Sequence, residues 1–288
     1  MGATTGPDGA SVRARRRWAV VALVVVLGLG VGGYVLYEQV RPYLHGTGCE
    51  VTTSEGKKPL DLEQGANSAT IAGVAFRKQL PERAVVIAYA TAIQESHLHN
   101  LEGGDRDSVG MFQQRPSQGW GTPEKLRDPV TSTSKFFDAL VKVKGYLDRD
   151  LHDAAQRVQR SADGDAYARH EPDGRLLARA FTGREPATVR CWYPPDDDAA
   201  PRRAEAVREL RRAFGSRLQV VVPAPAGQDA VRVTSRRSGW AVAHWAVTHA
   251  RAFGLTDVRH DGRRWTARNG HDGWQRDEDA PGDRVVLR

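Results

Sequence analysis

The pattern of apolar and polar positions begins with one long apolar run. Residues 18–37, from Trp18 to Tyr37, are twenty residues without a charge. At 1.5 Å per residue, a helix over this run covers ~30 Å, the thickness of the hydrocarbon core of a bilayer. The run therefore predicts a transmembrane helix over residues 18–37.

The charges around this run predict its orientation. Four arginines lie within residues 13–17, and only Arg41 follows the run closely. By the positive-inside rule, residues 1–17 form a cytoplasmic tail and residues 38–288 lie outside, as in a single-pass protein of the cytoplasmic membrane. A cleaved signal peptide is the alternative, but it has an apolar region of only about 7–15 residues and a small-residue cleavage site.

The middle of the chain has the spacing of helices. After a linker at residues 38–60, a mainly helical domain is expected over residues 61–200, its end marked by the turn-like stretch 193–198. A polar loop, rich in Gly, Asp and Gln, spans residues 99–127. Apolar positions at helical spacing predict helices near residues 66–75, 85–93, 129–143, 151–160 and 174–182.

The C-terminal part, residues 201–288, mixes both patterns and predicts a small α+β domain. Helices are expected at 205–214 and 240–253, and strands at 218–222 and 285–287. Asp261-Gly262 between two short apolar segments predicts a hairpin. From residue 202 onward the chain carries 17 Arg and 10 acidic residues, so this domain is basic and suits an anionic wall polymer or a protein partner.

The cysteines bear on whether the chain forms a disulfide bond. The chain has two cysteines, Cys49 and Cys191, too few for a disulfide-dense miniprotein or a four-cysteine zinc module. Outside the cytoplasm the redox state favours disulfides. One Cys49–Cys191 bridge is the simplest interpretation, and free buried thiols or an intermolecular bridge are the alternatives.

The segment that carries candidate chemistry runs from Ala92 to Pro116. A helix ends in Gln94-Glu95-Ser96, and a polar loop leads to Gly110-Met111-Phe112-Gln113. This arrangement resembles the lysozyme-like superfamily, in particular soluble lytic transglycosylases and goose-type lysozymes, over residues of about 61–190. The fold expected from the resemblance is a mainly α lysozyme-like domain, preceded here by the transmembrane helix and followed by the α+β domain.

The resemblance implies roles for these residues. Glu95 falls on the catalytic glutamate and Ser96 on its companion serine. The four residues Gly110, Met111, Phe112 and Gln113 fall on a motif that lines the glycan cleft, with Met111 and Phe112 in place of Leu and Met. The downstream Ala-Tyr-Asn-Ala-Gly motif of the transglycosylases is absent, and Asp165-Ala166-Tyr167-Ala168 is a poor counterpart.

Cleavage of a β-1,4 glycosidic bond explains why these residue types matter. The leaving oxygen needs a proton, which a carboxylic acid in an apolar setting supplies. A second carboxylate then assists as nucleophile or base, for which Asp105 and Asp107 are candidates and Glu102 a weaker one. In lytic transglycosylases the sugar's own 6-hydroxyl attacks instead, so that one carboxylate suffices.

Further side chains near the motif suit sugar binding. Gln113 and Gln114 can hydrogen-bond sugar hydroxyls or N-acetyl groups, and Trp120, in a Gly-rich setting, can stack on a sugar ring. In the alternative, purely structural interpretation, Met111, Phe112 and Trp120 are core residues, and Asp105 and Asp107 are loop caps. His97 and His99 lie two apart, so a helix would point them to different faces, and no metal site is expected.

These expectations combine into one function and one alternative. The preferred hypothesis is an extracytoplasmic lytic transglycosylase or muramidase-like glycosidase that acts on peptidoglycan glycan strands and needs no cofactor. No nucleic-acid partner is expected, because of the predicted location. The alternative is a non-catalytic wall-binding or membrane-complex accessory protein that retains the cleft, and the missing third motif supports it.

Overall fold

The computed structural model describes residues 8–160, 165–194, 200–216, 218–221 and 228–288. Residues 1–7 of the predicted tail and residues 195–199 at the predicted domain boundary lie outside the described residues. Within the described part, helices α1 to α10 are Asp8–Leu44, Leu62–Arg77, Glu82–Ser96, Pro123–Leu126, Pro129–Leu140, Leu151–Gln159, Asp165–Ala168, Glu171–Phe181, Arg203–Phe214 and Arg236–Phe253. Strands β1 to β9 are Gly48–Thr53, Gly56–Leu60, Val189–Trp192, Gln219–Val221, Asp229–Arg232, Asp257–His260, Arg263–Thr266, Gln275–Arg276 and Arg284–Leu287.

The fold class differs from the expected one. About half of the chain is helical, and the strands form two antiparallel sheets, with orders β2-β1-β3 and β4-β5-β9-β6-β7-β8. The prediction of a mainly α lysozyme-like domain between a membrane helix and an α+β domain is therefore wrong. Its main error in the middle part lies at residues 48–60, where two strands stand in place of a linker. Strand β1 pairs with β3, far along the chain, and β2 pairs with β1.

The predicted transmembrane helix and single-pass location are also wrong. Helix α1 extends well beyond the apolar run on both sides, so that Arg15 and Glu38 belong to the same helix as Val24. Within the part of the chain that the structure describes, no helix is both long and apolar enough to cross a membrane. The argument against a nucleic-acid partner rested on the predicted location and loses that support.

The three-stranded sheet confirms the predicted disulfide. Cys49 on β1 lies directly opposite Cys191 on β3, and the two are bonded. Both cysteines are buried. The bridge therefore joins the start of the compact unit formed by residues 46–288 to the strand that follows α8.

The six-stranded sheet packs with α10 inside the same unit. Helix α10 begins four residues earlier than the predicted 240–253, at a capping box made by Ser235 and Ser238, and it ends at Phe253 as predicted, with Gly254 as its C-cap. Its indole and imidazole side chains are buried. Trp265 on β7 donates from Nε1 to the carbonyl of Cys191 at 3.2 Å, which joins the two sheets.

Helix α3 is the buried centre of the helical part and carries Glu95 near its end. It is buried around most of its circumference, from Ala84 to Ile93, as is typical of a central helix. The Tyr89 hydroxyl donates to the carbonyl of Ser68 on α2 at 2.8 Å. Such packing fixes the position and direction of the last turn of α3, from which the candidate site is built.

Candidate functional site

Glu95 lies in the last turn of α3, at a point where the chain turns sharply. His97 (φ 53°) and Leu98 (φ 67°) adopt left-handed backbone conformations, which end the helix. The next residue after Glu95, Ser96, is buried, and its hydroxyl donates to the carbonyl of Met111 at 2.7 Å. Ser96 thus ties the end of α3 to the second motif.

The second motif is a tight loop closed by its own backbone. Val109 and Gln114 exchange two backbone hydrogen bonds of 3.1 Å. Between them, Gly110 has φ 77° and donates from N–H to the carbonyl of Leu101 at 2.8 Å. A Cβ built on Gly110 would lie 2.3 Å from the carbonyl oxygen of Leu126, so that only glycine fits.

Three of the predicted binding residues point into the core. Met111 and Phe112 are fully buried, and Phe112 stacks on Phe136 with ring centroids 4.4 Å apart. Gln114 is also buried and donates from Nε2 to the carbonyl of Ser132 at 3.2 Å. The loop therefore anchors itself with these side chains and leaves one neighbouring side chain at the surface.

That side chain is Gln113. Its backbone is left-handed (φ 45°), which turns the side chain away from the core. Its Oε1 accepts from the Ser108 hydroxyl at 2.8 Å, and its Nε2 donates to the carbonyl of Gly110 at 3.0 Å. The amide is held in one orientation at the wall of the cleft.

The cleft brings together four of the residues singled out in the sequence. Glu95, Asp105, Gln113 and Trp120 line a cavity of about 360 Å³. The lining is mostly polar and is completed by Ser108, Arg115, Gln118, Gln159 and Arg160. Two carboxylates, amides and one indole thus lie in a single open cleft, which offers a ligand both hydrogen-bonding groups and an apolar ring face.

Two contacts orient Glu95 in this cleft. The Tyr167 hydroxyl donates to Glu95 Oε1 at 2.6 Å, and Gln159 Nε2 donates to the same oxygen at 3.0 Å. Gln159 Nε2 also donates to the carbonyl of Phe112 at 2.7 Å. Oε2 of Glu95 has no hydrogen-bond partner among the residues that the structure describes.

The three candidate second acids differ in their exposure and in their partners. Asp105 lines the cleft with a side chain that is 90% exposed. Asp107 accepts from the Ser117 backbone N–H at 2.7 Å and from Arg115 Nε at 3.0 Å, and these bonds lower the pKa of Asp107 to about 2. Asp107 therefore acts as a loop cap. Glu102 is 93% exposed, with Arg127 3.9 Å away.

Sequence reasoning missed Gln159 and undervalued Tyr167. Tyr167 lies on the short helix α7, in the segment that is a poor counterpart of the third transglycosylase motif. The tyrosine itself was the available signal, because it is the one residue of that segment able to donate a hydrogen bond from a buried ring. Gln159, at the end of α6, carries no recognisable pattern in the sequence.

Comparisons with known proteins do not assign a family. A scan against protein-family models gives no match, and a search of the curated proteins gives none either. Within the described residues, no group of three or more His, Cys, Asp or Glu side chains is placed to hold a metal ion.

Proposed function

We propose that this protein cleaves β-1,4 glycosidic bonds in the glycan strands of peptidoglycan, with Glu95 as general acid and then base. The observation that carries the proposal is the setting of Glu95. One carboxylate oxygen is held by Tyr167 and Gln159, and the carboxyl group lines an open cleft with Trp120 and Gln113. A carboxyl group that is fixed on one side and accessible on the other suits proton transfer to a bound substrate.

The proposed reaction uses one carboxyl group twice. Protonated Glu95 gives its proton to the oxygen of the leaving sugar as the bond to C1 breaks. The resulting carboxylate then takes the proton of the 6-hydroxyl on the remaining sugar, whose oxygen bonds to C1 and closes a 1,6-anhydro ring. Atoms and charges balance without water or a cofactor.

The state of the other acids favours this route over hydrolysis. Asp107 is engaged by Ser117 and Arg115, and its lowered pKa keeps it a charged loop cap. Asp105 has a highly exposed side chain at the rim of the cleft, where solvent weakens its field at a developing cation. A mechanism that needs only Glu95 therefore fits the site better than one with two carboxylates.

Two side chains of the cleft support sugar binding in this proposal. Trp120 is partly buried against the core and lines the cleft, so that its ring is restrained and still open to a ligand. An aromatic ring of this kind offers an apolar face to a sugar. The restrained amide of Gln113 supplies hydrogen-bonding atoms on the same wall.

The test replaces Glu95 with Gln and measures glycan release from purified peptidoglycan. Loss of the proton donor is expected to lower the rate at least ~10²-fold, while binding of glycan strands changes little because the shape of the cleft is retained. Mass spectrometry of the wild-type product separates the routes, since 1,6-anhydro ends are expected and free reducing ends would implicate water.

Two variants complete the experiment. Glu102→Gln removes a highly exposed acid of the same loop and is expected to leave the rate unchanged. Asp105→Asn is expected to retain activity if the sugar's own hydroxyl attacks. If the wild type binds glycan strands and releases no product, the catalytic proposal is wrong and a non-catalytic wall-binding protein remains.

A further inference from the structure

The cleft at Glu95 continues into a second cavity. This cavity has a volume of about 520 Å³ and lies between the loop that carries Trp120, helix α5 and helix α6. Gln118, Trp120 and Arg160 line both cavities. A ligand that extends past Trp120 from the candidate catalytic carboxyl group therefore enters the second cavity directly.

The second cavity is basic. Its walls carry four cationic side chains, Lys135, Lys142, Arg157 and Arg160, and one carboxylate, Asp138. Because of this excess we call it the basic trough. By contrast, the cavity at Glu95 carries two acidic and two basic side chains, so the positive charge is concentrated on the far side of Trp120.

Two of these five charged side chains form ion pairs with residues outside the trough. Asp138 is paired with Lys78, outside the trough, at 2.7 Å. Arg157 is paired with Asp153 at 2.9 Å.

Among the residues that the structure describes, no carboxylate lies within ion-pairing distance of the remaining three cations, Lys135, Lys142 and Arg160. Lys135 lies beside the Trp120 loop, since a Cβ built on Gly121 would be 3.3 Å from its Nζ.

This arrangement differs from that of three arginines elsewhere in the chain. Arg212 is paired with Asp128 at 2.7 Å, Arg236 with Asp261 at 2.5 Å, and Arg264 with Asp257 at 2.5 Å. Like charges that converge on one groove without partners repel each other and attract an anion. The basic trough is thus a better place for an anionic ligand than these paired arginines.

We infer that the basic trough binds an anionic substituent that the glycan strand itself carries, beyond the sugar that stacks at Trp120. This inference rests on the proposed function, because it takes the cavity at Glu95 as the site of the scissile bond. Two sources supply such an anion in peptidoglycan: the carboxylates of the stem peptides and the phosphates of phosphodiester polymers joined to the strand. The trough would select substituted strands over uncharged ones.

The test compares binding of three fluorescent ligands to the full chain in the Glu95→Gln background, which prevents turnover. The ligands are an uncharged β-1,4 N-acetylglucosamine hexamer, glycan strands with stem peptides and no phosphodiester polymer, and glycan strands with the polymer and no peptides. The variant Lys135→Gln/Lys142→Gln removes two trough charges. Lys125→Gln/Lys144→Gln is the matched control, because both lysines are exposed and outside the trough.

The trough variant is expected to weaken binding of one anionic ligand by ~3–10-fold at low salt, with a smaller effect at high salt. Binding of the uncharged hexamer should not change. The anionic ligand that responds identifies the source, as carboxylate or phosphate. Equal loss in the control variant, an unchanged affinity for both anionic ligands, or no binding of either would overturn the inference.

Cleavage by the wild-type chain separates this inference from the proposed function. If the chain cleaves the hexamer and both kinds of strand, and trough substitutions change no affinity, the inference that the basic trough binds an anion is wrong and the catalytic proposal stands. If it cleaves none of them, and binding of anionic strands still depends on Lys135 and Lys142, the catalytic proposal is wrong and the trough stands.

Discussion

The hydroxyl of Tyr167 lies 2.6 Å from Oε1 of Glu95, although 72 positions separate the two residues in the chain. The Tyr167 side chain is 1% exposed, so its hydroxyl cannot exchange this partner freely for water. The contact joins the last turn of α3 to α7 and leaves the other oxygen of Glu95 open to the cleft. The orientation of the candidate catalytic group thus depends on a helix remote in sequence.

Tyr167→Phe tests this dependence. The hydroxyl fixes the orientation of the carboxyl group, and a catalytic group that is misoriented reacts more slowly, so loss of the hydroxyl should lower the rate of glycan release by about tenfold or more. The fold should persist, because the ring that fills the core is retained. Rates on purified peptidoglycan and the free energy of unfolding are measured side by side.

Tyr89→Phe is the matched control. It also removes a buried tyrosine hydroxyl, which donates from α3 to the carbonyl of Ser68 on α2 at 2.8 Å. This variant should lose stability and keep its rate. Equal loss of rate in both variants would mean that Tyr167 acts only through the fold.

Two adjacent glycines allow a sharp test of Gln113. A Cβ built on Gly104 would lie 1.7 Å from Gln113 Oε1, whereas a Cβ built on Gly103 meets nothing within 4 Å. Gly104→Ala should therefore displace the amide from Ser108 and weaken glycan binding, with a small loss of stability because the end of a flexible side chain can move. Gly103→Ala should bind as the wild type does, and equal affinities of the two variants would exclude a binding role for Gln113.

Local patterns predicted the helices that carry the site. The helix expected at 85–93 corresponds to α3, because its apolar residues are continuous and Pro81 marks its start. The Glu95-Ser96 end of this helix and the Gly110 loop were also visible as motifs. The structure adds how they are joined, since the Ser96 hydroxyl donates to the Met111 carbonyl at 2.7 Å.

Features that depend on distant pairing could not be predicted in the same way. Strand β2, with the sequence Gly-Lys-Lys-Pro-Leu, has no alternating apolar pattern and is held by β1. The contacts of Gln159 with Glu95 and Phe112 cross 64 and 47 positions of the chain. The transmembrane helix predicted from the apolar run at 18–37 was wrong, since no helix in the described part of the chain is both long and apolar enough to cross a membrane.

The disulfide between Cys49 and Cys191 should make a large contribution to stability. It joins residues 142 positions apart, and closing a loop of this length corresponds to about 5 kcal/mol in the chain-entropy model. The Cys49→Ala/Cys191→Ala variant should therefore unfold at a markedly lower denaturant concentration than the oxidised wild type. The reduced wild type should unfold like the variant, and a midpoint unchanged by reduction would contradict the prediction.

Two buried histidines should make the protein less stable in acid. Burial is the main cause that lowers the pKa of His244 to about 4 and that of His249 to about 4. For His244 the neutral ring is also fixed by its neighbours, because Nδ1 lies 2.9 Å from the Ala180 carbonyl and Nε2 accepts from the Thr188 N–H at 3.3 Å.

The direction of this change in stability with pH follows from proton uptake by the unfolded chain. The unfolded chain, with histidine pKa values near 6.5, binds more protons than the folded chain as pH falls from about 6.5 to about 4, so stability is lost over this range. The expected size is about 3 kcal/mol per histidine. His99 opposes this in part: burial works to lower its pKa, but Asp61 outweighs burial and raises it, which favours the folded state at low pH.

His249→Phe isolates one of these contributions. The imidazole of His249 stacks on Trp245, with ring centroids 4.0 Å apart, and a phenyl ring retains that stacking without a titratable group. Loss of the hydrogen bond between Nδ1 and the Trp245 carbonyl, 2.9 Å long, should lower stability slightly at pH 8. Between pH 6.5 and 4 the free energy of unfolding should then fall less steeply than in the wild type, as measured by denaturant titration at each pH. An identical slope in both proteins would show that His249 is not the group that takes up the proton on unfolding.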